Sequence, residues 1–242
     1  MNRQHSSDGL EKTVVCIAAY NEEKMIGPIV ANLTRLGLKT IVVDDGSSDQ
    51  TAREAQLNGA DVTSLAGNLG QWAALRTGFK IALQRGAEIV VSFDGDGQHR
   101  PSSVIELIRP IAAGDADISI GSRLSRTGYG GSAHRIFGIR TLNIIMWLIT
   151  KHRFTDCTSG LTAMRASLLK RALPQLREPQ FGRLEFWLVA FKLNPTVVEV
   201  STEIKPNHFT KKGQLLFGLH LLRTIARTTL LTSAEYNPLS KG

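Results

Sequence analysis

The sequence predicts an α/β fold, a mostly parallel sheet covered by helices on both faces. Short β-branched runs recur through the first 120 residues, and a helical pattern fills the gaps between them. Strand–helix–strand alternation at this spacing is what crossover connections in a parallel sheet require. The scale agrees: 242 residues, 42% hydrophobic and 21% charged, suit one globular domain. The chain is too apolar for disorder, and two Cys are too few for a disulfide scaffold.

Taken in order, the runs at 13–17 (TVVCI), 40–43 (TIVV), 61–65 (DVTSL), 88–93 (EIVVSF) and 117–120 (DISI) read as strands. The helical patterns cover about 23–36, 50–58, 70–84 and 101–112. Pro101 suits a first helical turn, where its missing N–H has no intrahelical partner in any case. After residue 122 the pattern changes. Gly and Arg crowd 122–135, which reads as a mobile loop, and a helix at about 136–150 follows. The polar turn FTDCTSG, helices near 166–173 and 184–192, a strand at 196–201 and a lysine-bearing loop at 205–213 lead to a last helix near 214–231. The expected organisation is a polar tail at 1–12, one domain at 13–232 divided into halves at residue 122, and a tail at 233–242.

Ligands of open α/β sheets gather at the carboxyl ends of the strands, so the residues following each strand matter most. Ala19-Tyr20-Asn21-Glu22 follows the first strand, Asp44-Asp45-Gly46-Ser47-Ser48-Asp49 the second, and Asp94-Gly95-Asp96-Gly97-Gln98-His99 the fourth. Asp-Gly-Ser alone is ordinary turn chemistry. Two carboxylates separated by one small residue at the end of a buried strand are different, because they repel unless a cation sits between or beside them. Hard oxygen donors of this kind suit Mg²⁺ or Mn²⁺ carrying a diphosphate, and Gln98 adds a neutral oxygen. No GxGxxG follows the first strand and no GxxxxGK[ST] occurs, so glycine-loop phosphate cradles are excluded. The six His form no metal-spaced pair, and only His99 lies near the carboxylates. Trp72 and Trp187 read as core, and Cys16 and Cys157 as structural thiols.

The segments AAYNEE, VVDDGSSDQT, NLGQWAALRTG, SFDGDGQH, GSR and DCTSG occur in the order seen in family 2 glycosyltransferases, and the chain most resembles the dolichol-phosphate mannosyltransferase branch. The resemblance spans about residues 13–230. It implies a GT-A fold, a Rossmann-like mostly parallel sheet flanked by helices with a helical acceptor-side C-terminal part. It also implies a nucleotide-sugar donor (GDP- or UDP-linked), a divalent metal, Mg²⁺ or Mn²⁺, and inverting hexose transfer to polyprenyl or dolichyl phosphate. By the same resemblance Ala19, Tyr20, Glu22, Asp45, Asp94 and Gly95 line the donor pocket, with Asp45 on the base. Asp94, Asp96 and Gln98 hold the metal, Arg123 and Arg135 face phosphate, and Asp156 sits beside the acceptor. Asp96, Asp156 and Arg123 are the expected catalytic set. Arg183 and Glu185 fall in a loosely matched acceptor-side segment.

A phosphate acceptor is already anionic and needs cationic positioning, whereas a saccharide hydroxyl, the alternative acceptor, needs a base, for which Asp156 is the first candidate. The family's basic loop departs here to KPNHFTKKGQ, where Lys211 and Lys212 are the expected phosphate contacts. Charge follows the same division. Residues 1–122 hold 11 basic against 15 acidic residues, −4, and residues 123–242 hold 18 against 6, +12. That split, with three Tyr in the whole chain, argues against nucleic acid as a partner. The polar N-terminus and the lack of an 18-residue apolar run predict a cytoplasmic chain with no span of its own. The apolar stretch at 142–149 and the amphipathic pattern at 214–231 suit peripheral contact with a membrane surface, with a membrane-protein partner as a further expectation.

Overall fold

The computed structural model describes residues 10–124, 133–180 and 182–203, with main chain only at 133–135. Seven strands form one sheet in the order β3-β2-β1-β4-β6-β5-β7. These are β1 (Thr13–Ala19), β2 (Lys39–Asp44), β3 (Asp61–Ser64), β4 (Ile89–Asp94), β5 (Ile118–Ser122), β6 (Thr162–Arg165) and β7 (Val197–Ser201). The helices are α1 (Glu23–Arg35), α2 (Thr51–Leu57), α3 (Gln71–Gln84), α4 (Ser103–Ala112), α5 (Ala133–Thr150), α6 (Ala166–Ala172) and α7 (Gly182–Ala190). The expected loop at 205–213 and helix near 214–231 lie outside the described residues, as does most of the segment 122–135.

Alternation along β1 shows how the sheet acquires two cores. Val14 and Cys16 face one side and pack with Trp72, Leu75 and Phe79 of α3, while Val15 and Ile17 face the other with Ile26, Val30 and Leu33 of α1. The first core continues through Met146 of α5 and Phe186 and Trp187 of α7, the second through Leu107 and Ile111 of α4. Each such side chain fully withdrawn from water stabilises the fold by about 1.5–3 kcal/mol. Both Cys are buried and free, and Trp72 and Trp187 are core residues.

Two expectations need correction. Pro101 precedes the helix rather than opening it. Its carbonyl accepts the N–H of Val104, and α4 begins at Ser103. The second correction matters for the site. Residues 162–165 (TAMR), with little β-branching to mark them, form β6, which runs antiparallel to both β4 and β5. Because β6 is reversed, Thr162 pairs with Ser92 and Ile120 near the carboxyl ends of β4 and β5. The FTDCTSG turn that enters β6 therefore lies at the edge where the other strands leave.

Candidate active site

Three strand-end loops are stitched into one rim. Asp44 accepts the N–H of Ser47 through Oδ1 at 3.0 Å, which makes VDDGSSD a true turn. Gly46 sits at φ +75°, and a Cβ there would meet the backbone of Gly67. The turn is tied back to the loop after β1. The Asn21 N–H donates to Ser47 Oγ at 2.9 Å, the Ser48 N–H to Asn21 Oδ1 at 2.9 Å, and the Glu22 N–H to Thr51 Oγ1 at 2.7 Å. Asn21 adopts φ +55°, which turns the chain away from the sheet and leaves Tyr20 48% exposed beside buried Ala19. Asp45 is buried, and its two carboxylate oxygens accept the N–H groups of Leu69 and Gly70 at 2.8 and 2.9 Å. It thereby fixes the loop that starts α3.

The carboxylates after β4 lie in the middle of this rim. Asp94 Oδ1 accepts from Gln71 Nε2 at 3.1 Å, and Asp96 accepts from the Gln98 backbone N–H at 3.0 Å and from its side-chain amide. Burial pushes Asp94 above the usual carboxylate range, with Arg183, Arg123 and Gln71 opposing. Burial and then the charge of Asp94 push Asp96 up as well, and burial with the charge of Asp96 does the same to Glu22. Carboxylates gathered at such a cost in ionisation are relieved by a divalent cation. Among the described residues no group of three or more His, Cys, Asp or Glu has metal-binding geometry. Two carboxylates with an amide oxygen are nevertheless the hard oxygen donors that would suit Mg²⁺ or Mn²⁺. His99 is buried behind them, edge-on to Phe93, its Nε2 3.9 Å from Asp94 Oδ2 and its Nδ1 without a partner. Burial and the Arg123 charge lower its pKa to about 4, so the ring is neutral at pH 7.

The reversed β6 brings Asp156 to Arg123 at the end of β5. Arg123 Nε donates to Asp156 Oδ2 at 2.6 Å and Nη2 to Oδ1 at 2.8 Å, while Nη2 also reaches Thr158 Oγ1 at 2.7 Å. Asp156 is 0% exposed. Burial alone would raise its pKa, but the Arg123 hydrogen bonds and charge hold it below the ordinary range. A carboxylate so enclosed and so acidic orients an arginine rather than collecting a proton. The side chain of Arg135, and all of Lys211 and Lys212, lie outside the described residues.

Two further residues complete the site, Arg183 from a loosely matched segment and Gly160 from the DCTSG motif. Arg183, at the start of α7, donates from Nη1 to Thr162 Oγ1 and from Nη2 to Ser92 Oγ and the Gly160 carbonyl, each at 3.0 Å. Its guanidinium carbon lies 5.1 Å above the Trp72 ring. Burial lowers its pKa to about 10, against the opposing pull of Asp94, and it stays cationic at neutral pH. Gly160, the last residue of DCTSG, lies against Asp94 so closely that a Cβ would overlap the carboxylate.

A family profile described as Glycosyl transferase family 2 matches residues 14–173. The chain belongs to that family. It is 33% identical over 198 residues to the UDP-N-acetylglucosamine–dolichyl-phosphate N-acetylglucosaminyltransferase of Methanococcus voltae, covering 74% of this chain and 79% of that protein. It is 32% identical over 174 residues to polyprenol monophosphomannose synthase of Mycolicibacterium smegmatis, covering 66% and 64%. Glucosyl-3-phosphoglycerate synthase of Mycobacterium tuberculosis, solved with Mn²⁺, uridine diphosphate and glucosyl-3-phosphoglycerate, superposes with a TM-score of 0.72. That match covers 92% of this chain and 81% of the other at 19% identity, which speaks for the fold alone. The family 2 chain has the GT-A fold, with the Asp94–Asp96 edge at its strand ends.

Proposed function

We propose that this glycosyltransferase is a metal-dependent inverting enzyme that moves a hexose from a nucleotide sugar, GDP- or UDP-linked, to polyprenyl or dolichyl phosphate at a membrane surface. The observation that carries the acceptor assignment is the buried Arg123–Asp156 pair. The carboxylate that a hydroxyl acceptor would need as base is wholly enclosed and acidified, while the charges of two arginines, Arg183 and Arg123, act on Asp94. That arrangement suits an acceptor that arrives already ionised. The names of the relatives from Methanococcus voltae and Mycolicibacterium smegmatis support the same class of acceptor.

In this reading Ala19, Tyr20, Glu22, Asp45, Asp94 and Gly95 line the donor site. Asp94, Asp96 and Gln98 hold Mg²⁺ or Mn²⁺, which when bound supplies Lewis-acid stabilisation of the departing nucleoside diphosphate. Asp45 fixes the start of α3 and so aims Gln71 at Asp94. Arg123, held bidentately by Asp156, and Arg135, Lys211 and Lys212 bind the acceptor phosphate. One phosphate oxygen attacks the anomeric carbon from the face opposite the leaving group. The C–O bond to the diphosphate breaks, its electron pair stays with the diphosphate, and no proton has to be removed from the acceptor.

The test is transfer of label from UDP- and GDP-sugars, with Mn²⁺ present, into an organic-phase product of undecaprenyl or dolichyl phosphate. The expected result is a charged lipid with at least one donor. Transfer to soluble sugars with no lipid product from any donor would overturn the acceptor assignment.

A further inference from the structure

The outer face of α5, which includes the apolar stretch 142–149, gathers most of the exposed large apolar side chains among the described residues. Nine large apolar side chains are exposed among the described residues, and five of them, Phe137, Ile144, Trp147, Leu148 and Ile149, belong to this one helix. The helix satisfies its packing elsewhere. Ile139, Asn143 and Met146, spaced four and three apart, form the buried stripe against the core. On the opposite side Phe137, Ile144 and Leu148 are 74%, 57% and 56% exposed, one above the other at spacings of seven and four. A helix that is apolar on both faces while lying at the surface lacks, among the described residues, a partner on its outer side.

The charges around this face indicate what that partner is. No Asp or Glu occurs anywhere in 133–153, whereas Arg140, Lys151 and Arg153 are exposed along it. The Arg153 guanidinium lies 5.4 Å over the Trp147 ring, so a cation is held at the edge of the apolar stripe. Large aliphatic and aromatic side chains accompanied along their own segment by cations and by no carboxylate match the boundary between acyl chains and anionic headgroups. They match other occupants poorly. A two-fold contact with a second copy would set these cations against themselves. Residues 204–242 carry six Lys and Arg against one Glu, and so share the sign of the face.

The inner side of α5 leads to the acceptor pair. Asn143 Nδ2 donates to the Thr155 carbonyl at 2.7 Å, and Asn143 Oδ1 accepts the Cys157 N–H at 2.9 Å. These two bonds clamp the residues on either side of Asp156, which holds Arg123. We propose that the outer face of α5 is the surface by which this enzyme lies on an anionic bilayer, with Asn143 linking that surface to the arginine that meets the lipid phosphate. The proposal deepens the lipid-phosphate reading and rests on it for the role of Arg123, while the docking face is testable by itself.

The test uses the full chain and vesicles of equal parts phosphatidylglycerol and phosphatidylcholine, read by co-sedimentation. Ile144→Glu with Leu148→Glu places two anions on a solvent-facing stripe and leaves the buried stripe intact. The expected loss of vesicle binding is about tenfold or more. Leu57→Glu, on an exposed apolar position of α2, should leave binding unchanged. In parallel, transfer to a short, water-soluble prenyl phosphate should be unaffected by the double substitution, which shows that fold and site are intact. Equal vesicle binding by the double variant and the parent chain would overturn the proposal, as would a parent chain that ignores vesicles. A parent dimer dispersed by the double substitution would do the same in favour of a second copy, and binding that appears only after removal of 204–242 would assign the face to that segment. Failure of the short acceptor with every donor would instead defeat the lipid-phosphate reading, and vesicle binding would still decide the face.

Discussion

Gly160→Ala is the substitution that probes the site most locally. The Cβ added at residue 160 would lie 2.5 Å from Asp94 Oδ1 and nearer still to Oδ2. Ordinary contact begins at 3.4 Å, so even the farther oxygen must retreat by about 0.9 Å. The turn cannot easily yield instead. Its carbonyl is held by Ser92 Oγ at 2.7 Å and by Arg183 at 3.0 Å, and those donors lie on β4 and α7. A displacement of about 1 Å in a positioning group can cost about 100-fold in rate, equivalent to ~2.7 kcal/mol. Overpacking should also lower stability by about 1–3 kcal/mol. The assays are Mn²⁺ titration by paramagnetic resonance and steady-state transfer with whichever donor the parent enzyme accepts, both well below the melting temperature. Weakened Mn²⁺ binding and a loss of about 100-fold in kcat/KM are expected. A folded variant with a loss smaller than about threefold, under ~0.7 kcal/mol, would refute the claim that Asp94 depends on this contact.

Asp96→Ala should abolish metal-dependent transfer, and unchanged turnover would remove Asp96 from the metal site. Asp156→Ala leaves a buried guanidinium without its carboxylate and should destabilise the fold by about 3–5 kcal/mol, measurable by denaturant titration. The Asp156 carboxyl, held below its unfolded value of about 3.9, contributes stability that is present above that pH and lost as pH falls through the folded value. Asp156→Asn should therefore flatten the acid limb of melting temperature against pH. Asp94 and Asp96 are shifted the other way, so their contribution is present below the unfolded value and lost as pH rises through the folded one. Added Mn²⁺ should for that reason raise the melting temperature more at about pH 7.5 than at about pH 5, by calorimetry. Cys16 and Cys157, both buried with thiols raised far above the usual range, should resist alkylation until the chain unfolds.

The strands and helices up to residue 122 were legible because their periods are clean and their ends carry Gly, Asp and Asn. The run DVTSL marked β3 even though its side chains are only partly buried. β6 was not legible. Four residues, TAMR, carry too little β-branching to distinguish a strand from the start of α6, and only the reversed pairing with β4 and β5 reveals it. That reversal is what joins residues 33 apart, Arg123 and Asp156, into a pair. The strand-end carboxylates could be found from Asp spacing alone. Arg183 could not, since its meaning depends on Ser92, Thr162 and Gly160 converging from two strands and a turn. The DCTSG motif flagged Gly160, but the reason for a glycine there is the neighbouring Asp94, 66 positions earlier in the chain.

Competition between a prenyl phosphate and the corresponding prenol in one reaction tests the central claim most directly. The two acceptors share their chain and differ only in the ionised group, and mass spectrometry reads both products together. A site that offers Arg123 and Arg183 and encloses its only nominated base should glycosylate the phosphate alone. Comparable transfer to the prenol hydroxyl would show that a working base is present and would contradict the account.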